Sequence, residues 1–333
     1  ELDVGTIIVA TGFEMWDPAQ LSQYSYGKSP NIITGMEFEH LSNAGGPTAG
    51  EILLADGRKP ERVAIIHCVG SRDHNAHPYC SRICCMYSLK QAHLVHDKTG
   101  AEVYEFYMDM RAFGKAYEEF YERVQKEGVT FVRGRGAEVE VLEPQNGRKY
   151  GKLRVKGEDA NLGRLVQADV DMVVLSTAIE APHDANRVAS LFGLGRTEDG
   201  FFAEAHPKMR PVETNTDGIF LAGTAQGPRD VPDTVAHAGA AASMALALLD
   251  KGEVVISPTT AKVITERCVG CGDCVIVCPY TAISLIEGKA EVNPALCKGC
   301  GTCVATCPAG AIEALHFTDE QLVAQIEGVL AWV

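Results

Sequence analysis

Cysteine is the residue type in this sequence whose number and spacing could do chemistry. The 12 cysteines fall into two groups, with none between Cys85 and Cys268. The N-terminal group is Cys68, Cys80, Cys84 and Cys85; the C-terminal group is Cys268, Cys271, Cys274, Cys278, Cys297, Cys300, Cys303 and Cys307. Disulfide scaffolds belong to small secreted chains that lack a core, whereas these 333 residues include ample core-forming sequence. Regular three-residue spacing favours metal binding instead.

The C-terminal group forms two copies of the pattern C-x2-C-x2-C-x3-C-P, and each cysteine of the first copy has its counterpart 29 residues later. In such repeats three thiolates of one loop bind one iron–sulfur cube, while the fourth cysteine, before proline, ligates the other cube. Zinc sites use pairs of C-x2-C rather than these triplets, so zinc is disfavoured. We therefore predict two 4Fe-4S clusters with crossed ligand sets: Cys268, Cys271, Cys274 and Cys307 for one, and Cys297, Cys300, Cys303 and Cys278 for the other.

The N-terminal group has a less regular spacing. Cys68 follows an apolar β-like run, and Cys80, Cys84 and Cys85 open a predicted helix over residues 81–96. Cys80 and Cys84 are one helical turn apart, so both could face one point, with the other two thiols closing around it. The spacing alone leaves a third cluster, a redox disulfide and buried free thiols open. Three histidines flank the group and are predicted to be packing or surface residues rather than ligands: His67, His93 and His96.

The elements that must position these residues alternate between strand and helix patterns, which is typical of α/β folds. The predicted strands are 5–12, 63–67, 102–108, 130–132, 138–142, 152–155, 172–178 and 218–223. Besides 81–96, helices are predicted at 112–126, in an Ala-rich segment ending at Leu249, and in an amphipathic tail at 318–333.

The loop between strand 218–223 and the Ala-rich helix is a candidate flavin site. Its glycines permit a close approach of the backbone, and a helix N-terminus near Asp233 stabilises negative charge, as on the N1/O2 edge of a reduced flavin. The alternative is an ordinary β–α loop before a packing helix. The predicted flavin-binding residues are Gly12, Gly223, Thr224, Gln226, Gly227, Asp233, Thr234 and Val235.

Three strand endings, Ala-Thr-Gly at Gly12, Ser-Thr-Ala at Ala178 and Ala-Gly at Gly223, resemble those of flavoproteins with two dinucleotide-binding domains, thioredoxin reductase among them. The resemblance implies an FAD domain split around an inserted NAD(P)H-type domain. It also implies that the FAD pyrophosphate loop lies upstream of residue 1, so that the chain is a fragment. The expected segments are the end of the first FAD portion with a linker (1–61), the inserted unit (62–178), the second FAD portion (179–252), an α+β two-cluster ferredoxin domain (253–317) and a helical tail (318–333).

Two departures from that family bear on the chemistry. Thr224 follows Gly223, where family members usually carry Asp to bind the ribityl chain. The expected nicotinamide loop reads Cys-Val-Gly-Ser-Arg at 68–72, with one glycine, and is poorly suited to hold a pyrophosphate. NAD(P)H is therefore not expected as the electron source.

Further motifs make the resemblance specific. Together with the double repeat, the segments 68–72, 79–90, 109–115, 206–212 and 227–234 resemble the A subunit of CoB–CoM heterodisulfide reductase, across essentially the whole chain and in that family's C-terminal half. The resemblance implies an FAD that splits electron pairs and a third 4Fe-4S cluster on Cys68, Cys80, Cys84 and Cys85. It also implies that Lys90 lies near flavin N5, where a cation would stabilise negative charge on reduced flavin.

The resemblance further implies a cytoplasmic oxidoreductase component of anaerobic energy metabolism, as in methanogenesis. Its expected partners are B- and C-like subunits, a hydrogenase or formate dehydrogenase module and ferredoxin, and a homodimer of the A subunit is compatible. The alternative is an electron relay without bifurcation in a related quinone- or ferredoxin-linked complex. A formal charge of −14 disfavours a nucleic-acid partner. The longest apolar run, 238–249, is too short for a membrane span of about 20 residues.

Overall fold

The computed structural model describes residues 3–145, 147–255 and 258–331. The predicted domains also include residues 1, 2, 146, 256, 257, 332 and 333, which lie outside the described residues. The strands are, in chain order, β1 (Ile7–Val9), β2 (Glu14–Met15), β3 (Ile32–Thr34), β4 (Arg62–Val69), β5 (Glu102–Tyr107), β6 (Thr130–Arg133), β7 (Gly136–Val141), β8 (Leu153–Asp159), β9 (Arg164–Val170), β10 (Met172–Thr177), β11 (Ile179–Glu180), β12 (Ile219–Leu221), β13 (Ala261–Val263), β14 (Ile283–Ile286), β15 (Lys289–Val292) and β16 (Ile312–Ala314).

The α-helices are separated by these strands and by short 3-10 turns. In chain order they are α1 (Gly35–Ser42), α2 (Cys84–Thr99), α3 (Tyr117–Lys126), α4 (Ala185–Phe192), α5 (Val231–Lys251), α6 (Asp273–Ile276), α7 (Thr302–Thr306) and α8 (Asp319–Leu330). The 3-10 turns are Pro18–Gln20, Ser22–Tyr24 and Gly223–Ala225.

The chain forms two compact units. The first, here called the sheet unit, contains residues 13–180 and 228–230; the second, the repeat unit, contains residues 1–12, 181–227 and 231–333. Residues 13–61, which were expected to belong to an FAD portion and a linker, therefore lie in the same compact unit as the inserted segment. The second FAD portion and the ferredoxin-like segment likewise share one unit.

The sheet unit is built on a five-stranded parallel sheet with the order β3-β10-β4-β5-β6. Every residue of β10 and all but the first of β4 are buried, as expected for central parallel strands covered on both faces. Helix α2 packs on one face, where Leu89 and Val95 meet Ile65 and Val103. The antiparallel sheet β7-β8-β9 covers the other face, where its apolar residues meet Phe106.

The repeat unit combines a short parallel pair with the cysteine repeat. Strand β1 pairs in parallel with β12, and α5 packs on β12 through Ala241 and Ala245. The repeat folds as two antiparallel pairs, β13 with β16 and β14 with β15, and as the short helices α6 and α7. An ion pair between Lys298 Nζ and Asp217 Oδ2, 2.6 Å apart, joins the repeat to the segment before β12.

The α/β class is confirmed, and each predicted strand is present. Two predicted helices are shorter than expected. The helix predicted over 81–96 begins at Cys84, because Arg82 is left-handed at φ 62° and the chain turns there. The helix predicted over 112–126 begins at Tyr117, after the left-handed Ala116 at φ 67°. Outside the two-cluster segment, strands β2, β3, β9 and β11 and helices α1 and α4 were not predicted.

The predicted tail helix is present as α8. Thr318 and Gln321 form a capping box at its N-terminus, in which the side chain of each accepts a hydrogen bond from the backbone N–H of the other. The acidic residues Asp319 and Glu320 do not form this cap. None of its described residues is buried. Among the described residues, no helix combines the length and apolar character needed to cross a membrane.

Candidate iron–sulfur and flavin sites

The cysteine repeat surrounds two small cavities. The first is lined by Cys268, Cys271, Cys274 and Cys307, together with small and apolar residues such as Ala311. The second is lined by Cys278, Cys297, Cys300 and Cys303. In each cavity three cysteines come from one copy of the motif and the fourth from the other copy. The fold thus groups the thiols in the crossed sets that the sequence pattern predicts.

Backbone N–H groups point at the sulfurs of both cavities in a repeating arrangement. The donors and acceptors are Ala290 to Cys268 at 3.4 Å, Ala261 to Cys297 at 3.4 Å, Ala282 to Cys278 at 3.3 Å and Ala311 to Cys307 at 3.2 Å. The contact of Ala311 with Cys307 repeats that of Ala282 with Cys278, 29 residues later. The contacts of Ala290 with Cys268 and of Ala261 with Cys297 each join the two copies of the repeat, in opposite directions. Amide donors of this kind stabilise negative charge on thiolate sulfur.

The protonation of these thiols follows from their surroundings. Hydrogen bonds from the backbone of Ala290 and Gly270 lower the pKa of Cys268. Burial raises the pKa of Cys274 and of Cys303. The buried thiols are therefore expected to become thiolates when they bind a metal rather than before.

Glycine is required at two positions of the cluster loops. Gly270 and Gly299 have φ values of 72° and 65°, in the left-handed region. A Cβ at Gly270 would lie 2.2 Å from the carbonyl oxygen of Gly288, and one at Gly299 would lie 2.1 Å from that of Thr259. No side chain fits there unless the backbone moves, so the loops depend on glycine to hold their shape.

In the sheet unit, three cysteines of the N-terminal group meet at the carboxyl end of the parallel sheet. Cys68 lies near the end of β4, and Cys84 and Cys85 begin α2. All three are buried, and the side chain of Cys84 interacts with those of Cys68 and Cys85. Ligand sites of open α/β sheets lie at this edge, where a helix N-terminus favours negative charge.

Cys80 has different surroundings. Its sulfur accepts a hydrogen bond from the backbone N–H of Arg82 at 3.3 Å. The sequence predicted that Cys80 and Cys84 face one point as neighbours on a helix. Residues 80–83 are not helical, so this part of the prediction is wrong. A shared site for all four thiols remains a prediction.

The electrostatics of this site favour negative charge on sulfur. The hydrogen bond with Cys84, and then the interaction with His67, outweigh burial and lower the pKa of Cys85 to about 4. The hydrogen bond with Cys84 also lowers the pKa of Cys68, to about 7, against the effect of burial. The interactions with Cys68 and Cys85, together with burial, raise the pKa of Cys84. The trio thus already carries thiolate character, which metals and clusters require.

The loop that carries the thiols has an unusual backbone. Cys68, Arg72 and Arg82 are left-handed without being glycine, with φ values of 57°, 54° and 62°. Such conformations are costly and persist only where surrounding contacts enforce them. Here the hydroxyl of Ser71 accepts from the N–H of Ser81, and the hydroxyl of Ser81 accepts from the N–H of Ile179.

Within the described ranges, no three His, Cys, Asp or Glu side chains converge on one point as the ligands of a single metal ion would. A 4Fe-4S cube distributes its ligands over separate irons at separate corners. Four cysteines around a cavity, with amide donors to their sulfurs, suit such a cube in each half of the repeat.

A buried ionisable pair next to the thiols was not predicted. His67 Nε2 and Glu105 Oε2 are 3.0 Å apart on neighbouring strands, and both side chains are buried. The alternation of β5 carried a signal for this pair, because Glu105 occupies an inward position two residues after the buried Val103. The other two flanking histidines lie on α2, where His93 Nδ1 is 2.8 Å from Glu127 Oε2 and His96 is exposed.

The predicted flavin residues all lie in the repeat unit. Gly12 follows β1 and Gly223 follows β12; because these strands are parallel neighbours, their carboxyl ends adjoin. Both glycines are left-handed, and a Cβ at Gly12 would meet no atom within 4 Å. This opening permits a ligand to approach the backbone closely, as a flavin site requires.

The other predicted flavin contacts surround the start of α5. Thr224 lies in a 3-10 turn, Gln226 and Gly227 follow it, and α5 begins at Val231, so Asp233, Thr234 and Val235 lie in its first turns. His237, which holds this loop, was not among the predicted residues. Its Nδ1 accepts from the N–H of Gly223 at 3.0 Å, so its Nε2–H donates to the carbonyl of Pro211 at 3.3 Å.

Lys90 lies on α2 in the sheet unit, five residues after Cys85. Its Nζ is 2.6 Å from Glu39 Oε2, and its side chain is about half exposed. Its role next to a flavin remains a prediction.

A comparison with models of known protein families supports the interpretation of the cysteine repeat as an iron–sulfur domain. Residues 261–315 match the family model described as a 4Fe-4S dicluster domain. The segment therefore belongs to an iron–sulfur domain with two clusters.

The chain is similar to curated relatives over nearly all its length. It is 53% identical to the A subunit of the H2:CoB–CoM heterodisulfide,ferredoxin reductase of Methanothermobacter marburgensis, over 99% of this chain and 50% of that protein. It is 46% identical to the A subunit of the H2/formate:CoB–CoM heterodisulfide,ferredoxin reductase of Methanococcus maripaludis, with the same coverage of this chain and 50% of that protein.

Among solved structures, the chain is similar to a thioredoxin reductase of Lactococcus lactis, with 15% identity and a TM-score of 0.45 over 74% of this chain and 66% of that one. The chain spans about half the length of the curated relatives that it matches. These curated relatives, together with the crossed cysteine sets, place the chain in the A-subunit family of the CoB–CoM heterodisulfide reductases.

Proposed function

We propose that this chain carries three 4Fe-4S clusters and contributes to an FAD site in an electron-transfer subunit of a heterodisulfide-reductase-type complex. The observation that carries the proposal is the crossed grouping of eight cysteines around two small cavities, each with amide donors aimed at sulfur. One cluster is assigned to Cys268, Cys271, Cys274 and Cys307, and the other to Cys297, Cys300, Cys303 and Cys278.

The third cluster is assigned to Cys68, Cys80, Cys84 and Cys85. Its support is the meeting of three buried thiols at the N-terminus of α2, at the sheet edge where related folds bind cofactors. The left-handed backbone at Cys68 and Arg82 orients the loop around this point. In this assignment Cys80 supplies the fourth ligand from the same loop.

FAD is the proposed two-electron centre. When bound, it accepts an electron pair and can release electrons singly, while iron–sulfur clusters carry one electron each. Gly12 leaves room for it at the backbone, and the N-terminus of α5 stabilises negative charge. Lys90 is proposed to add a positive charge near flavin N5. Separate cluster groups could then direct the two electrons to acceptors of different potential, which is electron bifurcation.

The proposed partners are the other subunits of such a complex. The relatives' names mention H2, formate and ferredoxin as their reactants, which supports a hydrogenase or formate dehydrogenase module as donor and ferredoxin as one acceptor. We propose a cytoplasmic location for the complex.

Iron content tests the cluster assignment. Cys278→Ala and Cys84→Ala should each remove about four irons from the reconstituted chain, because each removes one ligand of a cube with four irons. Ile276→Ala is the matched control for Cys278, since Ile276 is exposed and lies two residues away; Asp97→Ala is the control for Cys84, since Asp97 is an exposed residue of the same helix. Unchanged iron in Cys278→Ala would contradict the repeat clusters, and unchanged iron in Cys84→Ala would contradict the third cluster alone.

Flavin content and potential test the remaining part in the full-length protein. We expect about one FAD per chain, and a lower flavin potential in Lys90→Ala than in the wild type, because a positive charge stabilises the reduced, negatively charged form. Lys90→Arg should retain the potential, and Lys126→Ala serves as the exposed control. A protein that retains its iron but lacks flavin would instead be an electron relay.

A further inference from the structure

Arg82 connects the cysteine loop of the sheet unit to two other loops of that unit. Its backbone N–H donates to the sulfur of Cys80 at 3.3 Å, and its Nη1 donates to the carbonyl of Pro228 at 3.2 Å. Its guanidinium carbon lies 5.4 Å from the centroid of the Phe113 ring, in a cation–π contact. Pro228 belongs to the sheet unit. Three segments that are distant in sequence therefore meet at this one side chain.

The backbone of Arg82 forms a tight turn that arginine rarely adopts. The N–H of Ile83 donates to the carbonyl of Ser81 at 2.7 Å, so Arg82 is the central residue of a γ-turn. Its φ of 62° makes this the strained form of that turn, in which the Cβ of a residue other than glycine is crowded. Such a conformation persists only where neighbouring contacts enforce it. The contacts of the Arg82 side chain with Pro228 and Phe113 supply that enforcement.

The turn determines the surroundings of the Cys80 sulfur. It separates Cys80 from α2, which begins at Cys84, and it directs the N–H of Arg82 back to the Cys80 sulfur. The direction of this N–H depends on the backbone angles of the turn, so relaxation of the turn would break the hydrogen bond. A backbone N–H does not titrate, and as a donor it stabilises negative charge on sulfur at any pH. An arginine that contributed only surface charge would not require the strained turn.

We propose that Arg82 is a positioning residue whose side chain holds the γ-turn and thereby places the Cys80 sulfur as the fourth ligand of the third cluster. The inference rests on the proposed function, because it treats Cys80 as a cluster ligand. Pro228 and Phe113 act through Arg82. Hydrogen bonds to ligand sulfur favour the more negative, reduced state of a cluster, so the turn also raises the reduction potential.

Glycine separates the effect of the turn from that of the side chain. Glycine adopts a positive φ without strain, so Arg82→Gly keeps the turn, whereas Arg82→Ala keeps the strain and loses the contacts that offset it. The measurement is the rate of iron release to EDTA from the reconstituted chain, following the cluster signal that Cys84→Ala eliminates. We expect release about tenfold faster in Arg82→Ala than in the wild type. Release from Arg82→Gly should stay within about twofold of the wild type.

A redox titration of the same signal adds a second measurement. Arg82→Ala should lower the reduction potential, because Cys80 loses its amide donor, and Arg82→Gly should retain it. Phe113→Ala should speed iron release about threefold in the wild type and have no effect in Arg82→Gly, which lacks the side chain that Phe113 contacts. Arg123→Ala is the matched control, because the guanidinium of Arg123 makes the same kind of contact with Phe120, at 5.0 Å, on α3 of the same unit.

Four outcomes would overturn the role of Arg82 while leaving the third cluster in place. They are a wild-type rate and potential in Arg82→Ala, equal losses in Arg82→Gly and Arg82→Ala, equally fast release in Arg123→Ala, and full iron in Cys80→Ala. Equal losses in the glycine and alanine variants would assign the effect to the charge or packing of the side chain rather than to the turn. A wild-type chain without the Cys84-dependent signal would instead refute the proposed third cluster itself.

Discussion

At the scale of single residues, the sites combine groups that are costly to bury with partners that offset the cost. His67 illustrates this balance: burial alone would lower its pKa, but interactions with Cys85 and Glu105 raise it to about 10. At the end of β12, His237 accepts a hydrogen bond from the N–H of Gly223 and donates one to the carbonyl of Pro211.

Tyr26 provides a pH-dependent test at this scale. Burial, followed by the charge and hydrogen bond of Glu37, raises its pKa from 10.0 to about 12. The folded chain therefore binds more protons than the unfolded chain between pH 10 and pH 12, and stability must decrease as pH rises through that interval. Chemical denaturation should show a steeper decline in the wild type than in Tyr26→Phe. Parallel curves for the two proteins would contradict the prediction.

At the scale of elements, loop geometry decides whether the cysteines can surround a cluster. Helices α6 and α7 are short, with four and five residues, so the conformation of the loops before them determines the shape of each cavity. Left-handed glycines precede both helices, at Gly272 and Gly301. The short helices and their loops therefore hold the thiols, and the left-handed glycines determine the direction of the backbone between them.

Gly270 and Gly288 separate two effects of a side chain in these loops. Both are left-handed, at φ 72° and 75°, but a Cβ at Gly288 would meet no atom within 4 Å. Gly288→Ala should cost about 1–2 kcal/mol from the backbone conformation. Gly270→Ala adds a backbone clash of about 1–3 kcal/mol and should also lower iron content. Thermal unfolding and iron analysis of both variants measure these losses of stability and of iron. Equal losses in the two variants would contradict the prediction, because they would show that the backbone relieves the clash at Gly270.

At the scale of the whole molecule, each compact unit has its own core and its own thiols. The five-stranded sheet supports the N-terminal group, and the double repeat supports the C-terminal group. Metal binding contributes folding energy to the segment that binds the metal. The stability of each unit should therefore respond to the clusters that we propose for it.

Hydrogen exchange can detect that locality. Cys278→Ala should lower amide protection in residues 258–315 by at least tenfold, because those residues lose cluster-linked folding energy, while β4, β5 and β6 change by less than about twofold. Cys84→Ala should give the reverse pattern. Loss of protection in both units in either variant would show that the chain unfolds as one cooperative body.

The sequence by itself determined the grouping of the C-terminal cysteines, because these residues lie in short loops with a regular spacing. That spacing assigns Cys307 to the first triplet, which begins at Cys268, and Cys278 to the second triplet, which begins at Cys297. The sequence also indicated most strands of the α/β scaffold through runs of apolar residues. Only the tertiary structure decided the N-terminal site. Strand pairing between β4 and β5 brings His67 to Glu105, and the left-handed turn at Arg82 removes Cys80 from the helix that carries Cys84. The reason is physical: contacts within a loop follow from local spacing, whereas contacts between strands depend on the register of the sheet, which the positions of cysteines do not encode.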